Sequence, residues 1–150
     1  TLPIISKYAK SGFNDEKAER ELSKKLLEEV DTKAVDIFQP ASSLSGGNQQ
    51  KAIIAREVEQ NDDLLIAVQP TRGLDVGAIE FIHKQIVKTR DNNKAVLLVS
   101  LELDEVMNLS DRILVMYEGE IVADLNPKET TIQELGLYMA GSKRGEGYEK

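Results

Sequence analysis

The chain has 150 residues, of which 41% are hydrophobic and 30% are charged, enough to bury a core in one compact domain or a piece of one. Its 26 acidic residues outnumber its 19 lysines and arginines, giving a net charge of −7 without a basic cluster, which argues against a nucleic-acid binder. The absence of cysteine excludes a disulfide framework and a thiolate metal site, and the single histidine excludes any site built on two imidazoles.

The first third of the sequence predicts two helices. Apolar residues recur at every fourth position over residues 15–30, after Asn14 or Asp15, either of which can cap a helix. These apolar residues are Ala18, Leu22, Leu26 and Val30. A second helical pattern covers residues 45–60, and its predicted buried stripe consists of Ala52, Ile54, Ala55 and Val58.

The remainder of the sequence predicts an α/β arrangement. Short apolar runs alternate with helical patterns, which is typical of buried parallel strands connected through helices. The predicted strands are 64–68, 96–100 and 113–117, and the predicted helices are 76–90 and 103–109. Glu118 and Gly119 predict a hairpin leading to an edge strand over 121–125. From Asn126 onward we expect one weak helix over 131–140 and a frayed polar end.

The helix predicted after residue 45 opens with two glycines, because the string 44–51 reads Leu-Ser-Gly-Gly-Asn-Gln-Gln-Lys. Ser45 followed by Gly46 and Gly47 leaves backbone N–H groups open at the positive end of the helix, where a phosphate can approach. The same residues also fit a serine-capped helix without any ligand, because caps of this kind are common.

A second string, residues 64–75, runs from an apolar strand into a turn that contains Pro70 and ends at Asp75. Polar groups that follow a buried strand lie at the carboxyl edge of a parallel sheet, where α/β folds bind ligands. Alternatively, the string is an ordinary strand-to-helix loop in which Asp75 caps the next helix.

Together and in this order, the two strings resemble the nucleotide-binding domain of ABC transporter ATPases, over about residues 11–125. Residues 44–49 resemble the family's signature sequence, in the version with Asn48 followed by Gln49. Residues 64–71 resemble its Walker B strand and turn, and Gly73, Leu74 and Asp75 resemble its D-loop. The later segments 96–105 and 110–119 resemble its switch-histidine strand and the strand and hairpin that follow.

The chain departs from the family at three positions where the family carries out hydrolysis. Val68 and Gln69 stand where the family has a magnesium-organising Asp and a catalytic Glu, and Leu101 stands in place of the switch histidine. Valine cannot coordinate an ion, and glutamine cannot take a proton from attacking water, although it can still orient it. We therefore expect a degenerate half-site, with no catalytic residue and no metal ligand in this chain.

The family's first half, including its Gly-rich phosphate loop (Walker A), has no counterpart in the sequence. Residues 136–143 are a near match to such a loop, but Ser142 takes the place of its lysine and no strand precedes it. We read this segment as a tail after a short helix.

No apolar run is long enough to span a membrane, and the chain opens with neither a methionine nor a secretory leader. We expect a soluble C-terminal piece of a longer protein.

The resemblance implies an α/β fold of the P-loop NTPase-like ABC ATPase type. It implies a helical subdomain over 1–60 that ends in the signature helix, a RecA-like part over 61–125, and a tail over 126–150. The RecA-like part is expected to contain a partial parallel sheet and an edge hairpin.

The resemblance also implies part of the ATP-binding subunit of an ABC importer for simple sugars or nucleosides, with the nucleoside branch favoured by Val68, Gln69 and residues 79–83. The chain looks like the second, C-terminal nucleotide-binding domain of that subunit. Family members pair head to tail, so that the signature helix of one domain closes over ATP held by the other. The residues implied to contact ATP in this way are Ser45, Gly46, Gly47, Asn48 and Gln49.

The implied partners are the N-terminal ATPase domain of the same protein, membrane permease subunits and, indirectly, an extracellular solute-binding protein, at the cytoplasmic face of the cell membrane. ATP and Mg²⁺ are the implied cofactors of the full-length ATPase, and neither ATP binding nor ATPase activity is expected of this chain alone.

Two alternative functions stay open. One is a non-transport ABC-type ATPase acting on ribosomes or in DNA repair, and the other is a vestigial α/β interaction module.

Overall fold

The computed structural model describes residues 9–10, 13–29, 36–60 and 62–147. Contacts between Cα atoms divide the chain into two compact units, Thr1–Leu97 and Leu98–Lys150. The division by motif into 1–60, 61–125 and 126–150 concerns function and stays a prediction. None of the helices in the described ranges combines the length and apolar character that crossing a lipid bilayer requires.

The first unit is mainly helical. Its elements are β1 (Ala9–Lys10), β2 (Phe13–Asn14), α1 (Glu16–Glu29), a 3₁₀ turn (Ala41–Ser43), α2 (Gly46–Glu59), β3 (Leu64–Val68) and α3 (Val76–Asp91). Strands β1 and β2 form a short antiparallel pair that the sequence analysis did not predict. The predicted helices are confirmed to within a residue or two at each end.

Helix α1 begins where its capping residue predicts. The Asp15 carboxylate accepts a hydrogen bond from the Ala18 N–H at 3.1 Å, which satisfies one of the donors that a first helical turn leaves unpaired. Of the predicted apolar stripe, Leu22 is buried, whereas Val30 lies outside the described residues.

The core of the first unit lies between α2 and α3. Helix α3 buries a residue at every third or fourth position, as a helix with one apolar face must. The buried side chains of these two helices are Ile54, Ala55, Ala78, Ile82, Ile86 and Thr89. The predicted stripe on α2 is confirmed for Ile54 and Ala55, while Ala52 and Val58 are half-buried.

Strand β3 pairs with β4 (Ala95–Val99) in a short parallel sheet, as the sequence predicts. The predicted full burial of β3 is wrong. Leu64, Ile66 and Val68 are 50 to 62% exposed, whereas Ala67 is buried. Successive side chains of a strand point to opposite faces. Ala67 therefore lies on the packed face, and the three exposed residues lie on the opposite face. Within the described residues the sheet has only these two strands, and its other face stays open.

The second unit contains α4 (Leu103–Leu109), β5 (Ile113–Tyr117), β6 (Glu120–Leu125) and α5 (Ile132–Met139). The predicted hairpin is confirmed: β5 and β6 pair antiparallel from Tyr117 opposite Glu120, with an irregularity after Val115. Its two turn residues, Glu118 and Gly119, have φ values of 48° and 81°. Positive φ at both central residues matches the right-handed twist of the strands.

The helix expected over 131–140 is confirmed, whereas residues 141–145, expected to belong to a frayed end, make backbone hydrogen bonds to α5 and β6. Helix α5 is capped by Thr131, whose hydroxyl accepts from the Glu134 N–H at 3.2 Å. It packs on one face of the hairpin because its apolar residues are spaced to share one side. The core of this unit is Ile113, Val115, Val122, Ala123, Leu135 and Tyr138. Gly136 lies inside α5, so residues 136–143 form the end of a helix and the turn after it rather than a phosphate loop.

The chain turns back sharply after α5. Gly141 has a φ of 70°, and its N–H and that of Ser142 donate to the Tyr138 and Leu137 carbonyls, both at 3.0 Å. This pattern closes helices with a left-handed residue, where glycine is favoured. A Cβ on Gly141 would also collide with the Tyr117 ring. The returning segment then reaches β6, where the Gly145 N–H donates to the Val122 carbonyl at 2.9 Å.

Candidate functional site

The predicted signature turn, Ser45 to Gly47, called the signature turn below, forms the start of α2. Ser45 has extended backbone angles, and its hydroxyl accepts from the Asn48 N–H at 3.4 Å. The Gln49 side-chain amide donates to the Leu44 carbonyl at 2.9 Å, which ties the residue before the cap to the helix. The predicted serine cap is therefore confirmed. The remaining N–H groups of a first helical turn have no acceptor within the helix, and their positive potential favours an anion.

The two glycines of the signature turn have different surroundings. A Cβ built on Gly46 would have no atom within 4 Å, so this position opens to space. A Cβ on Gly47 would lie 3.2 Å from the Ala78 Cβ and 3.4 Å from Asp75 Oδ2. Gly46 can therefore be approached by a ligand, whereas Gly47 is packed against the start of α3.

The predicted D-loop connects β3 to α3. Gly73 has a φ of 73°, which glycine adopts without steric cost, and the Leu74 N–H donates to the Thr71 carbonyl at 3.2 Å. Asp75 is the N-cap of α3, where its Oδ1 accepts from the Ala78 N–H at 2.9 Å. The capping role predicted for Asp75 is confirmed, and the structure brings this residue next to Gly47.

The end of β3 carries the two residues predicted to be degenerate. Val68 is 62% exposed, and Gln69 has a φ of 49°, a left-handed conformation that costs energy in a residue with a side chain. The Gln69 carbonyl accepts from the Arg72 N–H at 3.3 Å. Leu101 belongs to the second unit, where it is 71% exposed. Across the described ranges no group of three acidic, His or Cys side chains is arranged to hold a metal.

Sequence reasoning missed the contacts that join α2 to α3. The Lys51 ammonium lies 5.1 Å from the centroid of the Phe81 ring, within the range of a cation–π interaction. Ala78 was not predicted to be near the signature turn. The small size of Gly47 and Ala78 was the available signal, since small residues allow two helices to approach closely.

Comparison with known proteins places these features in context. No protein-family model matches the chain. The guanosine import ATP-binding protein NupO of Bacillus subtilis (strain 168) is 62% identical over 124 residues, covering 83% of this chain and 24% of that protein. The nucleoside import ATP-binding protein NupA of Lactococcus lactis subsp. cremoris (strain MG1363) is 54% identical over 144 residues, covering 96% and 28%.

The folded chain is similar to a dimeric ATP-binding cassette solved in a post-hydrolysis state with ADP and phosphate. The TM-score is 0.70 at 27% identity, over 84% of this chain and 53% of the cassette. The chain has the fold of an ABC ATPase cassette. Its homologues are sugar and nucleoside import ATP-binding proteins. The ABC cassette fold predicted from the motifs is thus confirmed, and the chain spans about a quarter of the length of the curated relatives.

Proposed function

We propose that this chain is part of the ATP-binding subunit of an ABC importer, and that its signature turn contacts ATP held by a partner domain. The observation that carries the proposal is Gly46, which lies in the first turn of α2 with no atom within 4 Å of a side chain placed there. A phosphate can therefore approach the backbone N–H groups of the turn. Ser45, Gly47, Asn48 and Gln49 complete the proposed contact.

We propose nucleosides, ahead of simple sugars, as the solute class. The support is the 62% identity to a guanosine import protein and the 54% identity to a nucleoside import protein. The solute itself would be bound by other subunits. This chain would couple ATP hydrolysis to transport without touching the solute. Its similarity to nucleoside import proteins is therefore the only evidence for the solute class.

The signature turn does not hold ATP by itself in this proposal. A helix N-terminus stabilises an anion by about 0.3 to 2 kcal/mol, whereas micromolar affinity needs about 8 kcal/mol. The remainder must come from a phosphate loop on the partner domain. Bound Mg²⁺ would neutralise phosphate charge there. The residues at the end of β3 do not fit the ion, since Val68 has no donor atom and Gln69 follows it without a carboxylate.

We propose that the Walker B positions Val68 and Gln69 and the switch position Leu101 are each degenerate, so that one composite site of the parent protein hydrolyses ATP and the other does not. Replacing a general base costs a factor of about 10² to 10⁴. In this proposal the chain is a C-terminal fragment of the second nucleotide-binding domain of a tandem ATPase, and this fragment, which lacks Walker A, is inactive alone.

The proposed partners follow from the same assignment. They are the N-terminal ATPase domain of the same protein, the permease subunits of the importer and, through them, an extracellular solute-binding protein. The complex would sit on the cytoplasmic face of the cell membrane. The proposed division is a helical subdomain over 1–60, a RecA-like part over 61–125 and a tail over 126–150.

The first test is Gly46→Asp in the full-length parent protein, with Gly46→Ala as the matched control. The aspartate places a carboxylate where the phosphate would bind, so we expect ATPase activity to fall about 100-fold or more. The alanine has room and adds no charge, and so its loss should be much smaller. Unchanged activity in Gly46→Asp would show that the signature turn does not contact ATP.

A second test separates the importer from the two alternatives. We expect the full-length protein to co-purify with a membrane permease. A non-transport ABC-type ATPase would hydrolyse ATP without any such partner. A vestigial interaction module would neither hydrolyse ATP nor dimerise in its presence.

A further inference from the structure

The signature turn and the D-loop meet at one point in the first unit. Gly47 lies against the start of α3, where a Cβ would come within 3.2 Å of the Ala78 Cβ. One turn further along the same two helices, the Lys51 ammonium lies 5.1 Å from the centroid of the Phe81 ring. The first turns of α2 and α3 are therefore held together at two successive levels.

The Asp75 carboxylate takes part at the first of these levels. Its Oδ1 caps α3 by accepting from the Ala78 N–H at 2.9 Å. Its Oδ2 would lie 3.4 Å from a Cβ on Gly47, and so this oxygen faces the first turn of α2. A negative charge near two helix N-termini is favourable. One side chain thus fixes the start of α3 and borders the start of α2.

The contact leaves little room for an added methyl group. A separation of 3.2 Å between two Cβ atoms is tighter than ordinary van der Waals contact, and neither atom can rotate away from its backbone. A methyl on Gly47 therefore requires the start of α3 to give way by a few tenths of an ångström. Gly46 has no atom within 4 Å, so the same change there leaves this spacing intact.

We propose that Asp75 and Ala78 are positioning residues for the signature turn, so that the start of α3 sets where Ser45 and Gly46 are presented. This inference rests on the proposed contact between the signature turn and ATP. In this proposal the D-loop and the signature turn of this chain move together, because they contact each other at Gly47. A movement of the D-loop would then be passed directly to the residues that close over the nucleotide.

The test is a double-mutant cycle in the full-length protein, using Gly47→Ala, Ala78→Gly and the combination. We expect Gly47→Ala to lower kcat about tenfold or more while KM for ATP changes less than about threefold. Adding Ala78→Gly removes the methyl group that the added methyl at Gly47 would meet, and so should recover at least about threefold in kcat. Gly77→Ala is the matched control, since its Cβ would lie at an ordinary 3.4 Å from Asp75 Oδ1.

Two further variants keep the outcome decisive. Ala78→Ser adds one atom at the same contact from the other side, and a loss of kcat there supports the proposal even if Gly47→Ala does not fold. If the double variant shows no recovery, Ala78→Ser is fully active and Gly46→Asp abolishes ATPase activity, the positioning role is wrong and the signature contact stands. If Gly46→Asp is fully active, the signature contact is wrong and the positioning role with it.

Discussion

Gln69 combines a left-handed backbone with an amide at the position where the proposed half-site would need a base. Its φ of 49° is a conformation in which a residue with a side chain costs about 1 to 2 kcal/mol. The neighbouring Val68 is exposed and apolar. The turn at the end of β3 therefore carries a neutral hydrogen-bonding group where the proposed half-site would need a base.

Gln69→Ala in the full-length protein tests this interpretation. Because a degenerate half-site contributes little to turnover, we expect the steady-state ATPase rate to change by less than about twofold. The comparison is Gly46→Asp, which acts on the competent site. A loss of about 100-fold in Gln69→Ala would instead show that the glutamine takes part in hydrolysis.

Arg112 and Asp124 form an ion pair whose strength depends on pH. The guanidinium donates two hydrogen bonds to the Asp124 carboxylate, at 2.9 and 2.5 Å. These bonds, with a smaller contribution from the positive charge, hold the pKa of Asp124 below its ordinary value of 3.8. Arg112 directly precedes β5 and Asp124 lies in β6, so the ion pair connects the two strands of the hairpin.

We expect the pair to stabilise the second unit at neutral pH and not in strong acid. Since the folded pKa lies below the unfolded one, the stabilisation is complete above the unfolded pKa and is lost as the pH falls through the folded pKa. Urea unfolding of the chain and of Asp124→Asn should differ at about pH 7 and converge at about pH 2. Added salt should reduce the difference at neutral pH, because both side chains touch solvent. A constant difference across pH would contradict the assignment.

At the scale of elements, packing against the hairpin holds the short helix α5 in place. Leu135 is 1% exposed and Tyr138 is 5% exposed against the hairpin, whereas Leu137 is 50% exposed. Thr131 satisfies the first turn and Gly141 terminates the last. Packing of two side chains, together with caps at both ends, therefore holds a segment whose isolated helical tendency is weak.

Leu135→Ala and Leu137→Ala give a matched pair on this helix. Leu135 is fully buried, so its truncation should lower the free energy of unfolding by about 2 to 5 kcal/mol. Leu137 is 50% exposed, and its truncation should cost about 0.5 kcal/mol. The measurement is chemical denaturation followed by circular dichroism. Equal losses would show that α5 does not pack on the hairpin as described.

At the scale of the whole molecule, the phosphate-facing groups of the proposed site come from a single helix start in the first unit. Nothing in the described residues resembles a phosphate loop, and the segment 136–143 is accounted for by α5 and its terminating turn. The chain would thus contribute half of a site, completed by another domain.

A calorimetric titration of the chain with magnesium and ATP at low salt tests this directly. We expect no saturable binding up to millimolar ATP, because one helix N-terminus is too weak to hold the nucleotide. A dissociation constant below about 0.1 mM, equivalent to about 5.5 kcal/mol, would contradict the half-site and require a second group of phosphate ligands. Lysozyme, titrated under the same conditions, provides the baseline for non-specific binding.

Local chemistry made part of this structure predictable. Ser45 and Asp75 are residue types that cap helices, so both helix starts follow from the sequence, and Glu118 with Gly119 predicts the hairpin turn. Contacts between residues far apart in the chain were not predictable. The small size of Gly47 and Ala78 allows a close approach but does not say which residues lie opposite each other, and the exposed face of β3 has no local signal. The pattern of α5 predicts the helix, but the ordered turn after it depends on contacts with the hairpin that a local pattern does not show.

The hydrogen bond from the Gly145 N–H to the Val122 carbonyl returns the chain to β6, the strand that it left after Leu125. The segment between these two points, residues 126–144, includes α5 and is attached to β6 at both ends; we call it the strap. The Gly145 amide can exchange its hydrogen with solvent only when the strap lifts, whereas the Gly147 amide lies beyond the fastening. The ratio of the two exchange rates is thus a gauge of how often this strap opens, read from two glycines without any mutation.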